Sequence, residues 1–202
     1  EARLAVDIQT QASAKENPQI NGYFDIYNAF LKIEKINSPL ENINGRFHFT
    51  QNQLSWSDLT FRYSGLPFKA GGILTNFQAP GVQLALSSPD LILETTFNVS
   101  NQLINLAKLT GKYFNSDFVL AGNINTGAAP NLPSEIKGDI NINLEDLTKM
   151  IPKSKAQIEK IKPSGVFHGQ FDLKGNINDF KNCSLETKLN SSGVSFYGLK
   201  AD

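Results

Sequence analysis

The side chains able to do chemistry are few in this chain and lie far apart. His48 and His168 are its two histidines, each beside a phenylalanine (Phe47 and Phe167) in a run with strand periodicity. Neither has a second His, Cys or carboxylate at ligand spacing, so both read as solvated strand residues rather than metal ligands. Cys183 is the single cysteine; it permits no internal disulfide and no thiolate cage, and Lys181 nearby is no partner base. Glu145-Asp146 is the one adjacent carboxylate pair, and it falls in the first turn of an expected helix, where the dipole favours anions. No Gly-x-Ser-x-Gly elbow, phosphate-cradling loop or dinucleotide fingerprint is present. The chain is therefore read as having no catalytic residues, no cofactor and no metal. Asn-x-Ser triplets at Asn98, Asn182 and Asn190 are what an Asn- and Ser-rich composition supplies by chance.

What must position side chains here is a set of short strands. The stretch Phe118-Val119-Leu120-Ala121-Gly122-Asn123-Ile124-Asn125 returns 53 residues later, from Phe171 to Asn178, with six of eight positions identical. A weaker copy, Phe68 to Thr75, lies 50 residues earlier. In all three, Phe, an aliphatic or small residue, Gly and an aliphatic residue occupy alternate positions, the side-chain period of a strand. Phe77, Leu84, Leu86 and Ser88 match Phe180, Thr187, Leu189 and Ser191 at one offset without a gap. Repetition at this spacing predicts a modular sheet protein.

The 202 residues carry 19 basic and 19 acidic side chains, and this zero net charge argues against a nucleic-acid partner. Hydrophobic residues make up 40%, which suits antiparallel strands with one apolar and one wet face. No apolar run approaches the roughly 20 residues of a membrane helix. The chain opens and closes in mid-pattern, and we read residues 1–202 as a single fragment of a longer repeat protein, with approximate modules 20–98, 99–144 and 145–202.

Between Asn21 and Ile33 strand and helix compete, and the Tyr and Phe content favours strand. A phase slip at Ser57-Asp58, where Leu54 and Trp56 change parity with Leu59 and Phe61, is the mark of a β-bulge. Two short helices are expected, near 101–109 behind Ser100 and near 144–150 behind Asn143, with another turn or two from Ser154 to Ile161. The fold class is thus mainly β: repeated antiparallel strands, about half the residues, in an elongated, curved sheet forming an open β-groove with two short helices.

Parity assigns Phe68, Leu84, Leu86, Leu91, Leu93, Phe118, Leu120, Leu173, Ile177 and Leu189 to one face. Lys69, Gln83, Ala85, Val119, Lys174 and Lys188 belong to the other. Patterning leaves two meanings for the apolar rows: an ordinary core closed by a second layer or by the helices, or a trough that holds an apolar ligand.

A resemblance bears on that choice. Pro39-Leu40-Glu41-Asn42-Ile43-Asn44-Gly45-Arg46-Phe47, then Leu54 to Phe61 ending in Asp58-Leu59, then the glycine-marked Phe68 to Phe77, resembles the AsmA-like family of bacterial envelope proteins, the AsmA/TamB type. It covers roughly residues 36 to 180. It implies a periplasmic β-groove tethered to the inner membrane through a segment absent from this chain. The groove's apolar face would hold or conduct acyl chains of phospholipid or another lipid, in envelope lipid transport and outer-membrane biogenesis. The ten apolar-face residues above would then contact lipid, with envelope protein partners unnamed. The alternative expectation is a structural or adhesive β-repeat with a closed core and no ligand.

Overall fold

The computed structural model describes residues 2–9, 19–34, 37–127, 133–150, 155–176, 183–197 and 199–200. The chain forms two compact units, Glu1–Asn101 and Gln102–Asp202. Within each unit every strand hydrogen-bonds to the strands before and after it in sequence, all antiparallel. The protein is mainly β, with 74% of the described residues in strands, above the half expected from sequence.

Unit 1 comprises β1 (Ala2–Gln9), β2 (Gln19–Leu31), β3 (Leu40–Thr50), β4 (Gln53–Tyr63), β5 (Leu66–Thr75), β6 (Gly81–Ser87) and β7 (Leu91–Ser100). The aromatic-rich segment after Asn21 is a strand, as its Tyr and Phe content predicts. Ser64 and Gly65 join β4 to β5 with φ of 49° and 79°, the two positive-φ residues whose twist matches a tight hairpin. In β4, Trp56 pairs with Gly72 and Leu59 with Ala70, so Ser57 and Asp58 together face Gly71 alone. This is the bulge that the phase slip predicts. It keeps Trp56 and Leu59, three residues apart, on one face.

Unit 2 comprises β8 (Leu103–Tyr113), β9 (Ser116–Asn125), β10 (Ser134–Asn143), a single 3-10 turn (Leu144–Asp146), α1 (Leu147–Met150), α2 (Lys155–Ile161), β11 (Ser164–Gly175), β12 (Ser184–Phe196) and β13 (Leu199–Lys200). The helical segment after Asn143 is found, with the Asn143 side chain accepting from the Glu145 N–H at 3.0 Å as N-cap. The helix expected near 101–109 is not: those residues lie in β8 and at its start. The cause is a second bulge. Leu106 pairs with Gly122 and Leu109 with Leu120, leaving Ala107 and Lys108 opposite Ala121. The extra residue gives two inward leucines a helix-like spacing of three, whereas Leu103 points away from Leu106 and is exposed.

The bulged hairpin β4–β5 thus recurs as β8–β9 at a constant offset of 50, with Trp56, Leu59, Ala70 and Gly72 replaced by Leu106, Leu109, Leu120 and Gly122. Copies 68–75 and 118–125 therefore occupy equivalent places. Phe171, Leu173 and Gly175 also face inward, but in the bulge-free pair β10–β11, and the copy's last two residues fall outside the described ones.

Leu106 is one of four buried hydrophobic residues among those described. Leu106→Ala should cost about 2–4 kcal/mol, the usual penalty for truncating a buried leucine, read as a shift in the urea midpoint. A loss below about 0.5 kcal/mol would show that β8 does not set the stability of unit 2.

Candidate functional site

The most distinctive surface in each unit is an apolar sheet face. In unit 1 the register builds it in rows that cross the strands. Phe24 faces Phe47 with their rings stacked at 4.8 Å, and Trp56 continues the row 5.6 Å from Phe47. The Trp56 ring lies across Gly72, where an added Cβ would meet its Cζ2 at 2.5 Å. Its Nε1 is buried without a hydrogen-bond partner, a cost accepted for placing the indole flat on an apolar surface. Further along, Phe61 stacks on Phe68 at 5.4 Å, and Ala70, Leu86 and Leu93 form the row between.

No second layer packs on this face among the described residues of unit 1: the extensive contacts of each strand are with its two neighbours in the meander. Ala70, at 6% exposure, is the single buried hydrophobic residue described in the unit. The larger side chains, Phe47, Trp56, Leu86 and Leu93 among them, are half-buried. Strands β2 to β7 at about 4.8 Å spacing carry this face across roughly 24 Å of sheet. A contiguous apolar patch of this kind on a protein surface marks an interaction or ligand-binding site.

Unit 2 builds the same kind of face with glycines as slots. Leu120 and Phe171 close over Gly138 from both sides; a Cβ there would meet them at 2.5 and 3.1 Å. Ile140 and Leu189 close over Gly169 in the same way, at 2.9 and 3.0 Å. At Gly138 and Gly169 the gap left by glycine in an apolar row is thus filled by side chains leaning in from adjacent strands.

The opposite faces are polar and internally bonded. In unit 1, Arg46 donates to Asp25 at 2.6 and 2.8 Å and lies 4.3 Å over the Tyr23 ring. The hydrogen bond to the Asp25 carboxylate holds the Arg46 pKa above the ordinary arginine value. In unit 2, Asn141 donates to Asp117 at 2.9 Å and sits 2.6 Å from His168 Nδ1, while Gln170 donates to Asp139. Lys137 and Lys174 both reach Asp172. Except for Lys174–Asp172, which lies within β11, these are cross-strand pairs of the kind that stabilise a sheet. His48 lies on the polar face of unit 1, opposite Tyr23 and Ser55, and no group of three metal-type ligands occurs among the described residues. The half-buried Cys183 donates its thiol to the Asn176 carbonyl at 3.3 Å.

The residues picked out by parity divide accordingly. In unit 1, Phe68, Leu84, Leu86, Leu91 and Leu93 share the apolar face, and Lys69, Gln83 and Ala85 are exposed on the other. In unit 2, Phe118, Leu120, Leu173 and Leu189 share a face, with Leu189 left 62% exposed on β12. Val119, Lys174 and Lys188 lie exposed on the reverse. Ile177 falls outside the described residues. Several large members of the two faces, Phe47, Trp56, Phe61, Ile140 and Phe171, were absent from the parity selection. Trp56 reads from sequence as an ordinary core residue and Phe171 shares the inward parity of Leu173, but the glycine slots that Ile140 and Phe171 close over have no sequence signature of their own.

Fold and site define a class: antiparallel β-meander units with one apolar and one internally bonded polar face. Beyond that class, no family model, curated protein or solved structure matches the chain.

Proposed function

We propose that the chain holds lipid acyl chains on its apolar sheet faces, as a segment of an AsmA-like envelope protein. The observation that carries this reading is the uncovered apolar face of unit 1, backed by a polar face that satisfies its own hydrogen bonds. A face intended for a closed core would be sealed by a second layer; a face intended for water would not be built of Phe, Trp and Leu. An acyl chain has no hydrogen bonds to satisfy, so a surface built mainly of Phe, Trp and Leu side chains suits that ligand. In this proposal the protein is a lipid holder or conduit rather than an enzyme. It works in the periplasm, tethered to the inner membrane through a segment outside this chain, in envelope lipid transport and outer-membrane biogenesis.

Photo-crosslinking residues at positions 93 and 94 test it. Leu93 is on the apolar face and Glu94 on the polar one. Lipid adducts should form at 93 and be absent at 94 when the protein is purified from envelope extracts. Equal labelling at both positions would reject the reading. Protein–protein adducts at 93 alone would favour the structural repeat, with its face covered by another chain.

A further inference from the structure

We propose that the turn and helix directly after β10, Leu144–Met150, form a stopper which Asp146 latches over one end of the unit 2 apolar face, and whose release admits acyl chains to that end. The inference rests on the acyl-chain reading above and concerns the regulation of the same face.

The observation is a difference between two copies of one hairpin. At the β4–β5 turn of unit 1 the apolar face runs out into Leu66, which is 55% exposed. The equivalent residue at the β8–β9 turn, 50 positions on, is Ser116, which is 4% exposed. Ser116 has the inward parity of Phe118 and Leu120, and its hydroxyl donates to Asp146 Oδ2 at 3.0 Å while accepting from the Asn143 N–H at 3.1 Å. Asp146 therefore sits on the apolar side of the sheet. Leu144, 4% exposed, is buried beside it in the same 3-10 turn, which packs against β11. The end of the face is open in unit 1 and shut by the chain itself in unit 2.

Among the described residues, the contacts that hold the closure centre on Asp146. Asp146 is 1% exposed and also accepts from the Asn115 backbone N–H at 2.8 Å. Charge-assisted bonds from a backbone N–H and a hydroxyl satisfy a carboxylate that would otherwise be costly to bury. Outside them, the Tyr113 hydroxyl reaches the Lys149 carbonyl at 3.5 Å, and Lys149 Nζ lies 3.8 Å over the Phe114 ring. Phe114 is at φ 53°, a conformation a bulky side chain adopts only under constraint. Leu144 is the one hydrophobic residue of this turn and helix that is buried among the described side chains. Leu144–Met150 is held by the bonds to Asp146, the Lys149 contacts and the burial of Leu144, and can open without unfolding the strands, whose ladder it does not join.

The test uses a palmitate analogue carrying a diazirine, with labelled peptides read by mass spectrometry. Asp146→Ala should raise labelling of the peptides containing Phe118 and Phe167 about tenfold, equivalent to about 1.4 kcal/mol. Labelling of the unit 1 peptide containing Leu84 and Leu93 should stay unchanged, and exchange of the Asn115 amide should accelerate. Asp146→Asn, which keeps an acceptor oxygen, should fall between wild type and Asp146→Ala. Faster Asn115 exchange with unchanged labelling at Phe118 would overturn the proposal, because the segment would then release without uncovering the face. A rise shared equally by both units would also overturn it, as general loosening. Absence of labelling in both units, wild type included, would instead remove the acyl-chain reading, and this inference with it. If Asp146→Ala does not fold, Tyr113→Phe, which loses only the outer contact, must still raise labelling at Phe118 selectively, or the proposal fails.

Discussion

Gly122→Ala should be the most damaging single substitution in unit 2, costing at least about 3 kcal/mol and preventing the variant from reaching native ellipticity at growth temperature. Gly122 has φ +149°, and a Cβ added there would collide with the Glu135 carbonyl oxygen and crowd Ile136 Cα at 2.9 Å. Both are backbone atoms of β10, the strand paired with β9, so no rotamer change can relieve the contact. Gly65→Ala is the control. Gly65 is also at positive φ, +79°, but nothing lies within 4 Å of the position its Cβ would take. It should show only the backbone penalty of a left-handed alanine, about 1–2 kcal/mol. The two variants compared by urea denaturation separate steric collision from conformational strain. A Gly122→Ala cost no larger than that of Gly65→Ala would mean that β9 and β10 are not paired in this register.

Leu120→Glu should abolish acyl occupancy of unit 2, whereas Val119→Glu should leave it intact. The Leu120 side chain covers Gly138 and meets Phe171 across it, so a carboxylate there would be desolvated among apolar groups at a cost of several kcal/mol. Val119 points the other way, 41% exposed, and pairs with Asp139 on the polar face. A glutamate at 119 meets one like charge across the strand, a penalty of at most about 1 kcal/mol. Photo-crosslinkers at the same two positions give the answer without adding charge: lipid adducts at 120 and none at 119. Identical adduct yields would exclude a one-sided face.

The faces were legible because alternation is a local property. Once a segment is a strand, the chemistry of odd and even positions fixes which side chains travel together, and Phe118 and Leu120 could be separated from Val119 without coordinates. The bulge at Ser57-Asp58 was legible for the same reason, as a parity change between Trp56 and Leu59. The identical bulge at Ala107-Lys108 reads from sequence as a helix, because Leu103 and Leu106 are spaced by three behind Ser100 and Ala107 and Lys108 continue the amphipathic pattern. Only the pairing of Leu106 with Gly122 and Leu109 with Leu120 shows Leu106 and Leu109 to be strand neighbours across an extra residue. The kinship of β5 and β9 was legible as a repeat at a spacing of 50, whereas the match of their bulged partners β4 and β8 lies in register rather than identity.

By itself the sequence determined that this protein is a repeating, mainly β chain of balanced charge whose strands each carry one apolar side. Both follow from composition and a two-residue period, which need no knowledge of neighbours. The tertiary structure alone decided that the apolar side of unit 1 has no covering layer among the described residues. It alone showed Trp56, Leu120, Phe171, Ile140 and Leu189 closing over glycines of adjacent strands, and Asp146 shutting one end of the face in unit 2. Coverage, gap-filling and closure depend on residues brought together from separate strands, as Asp146 is to Ser116 across 30 positions. A strand pattern specifies which way a side chain points but not what stands in front of it.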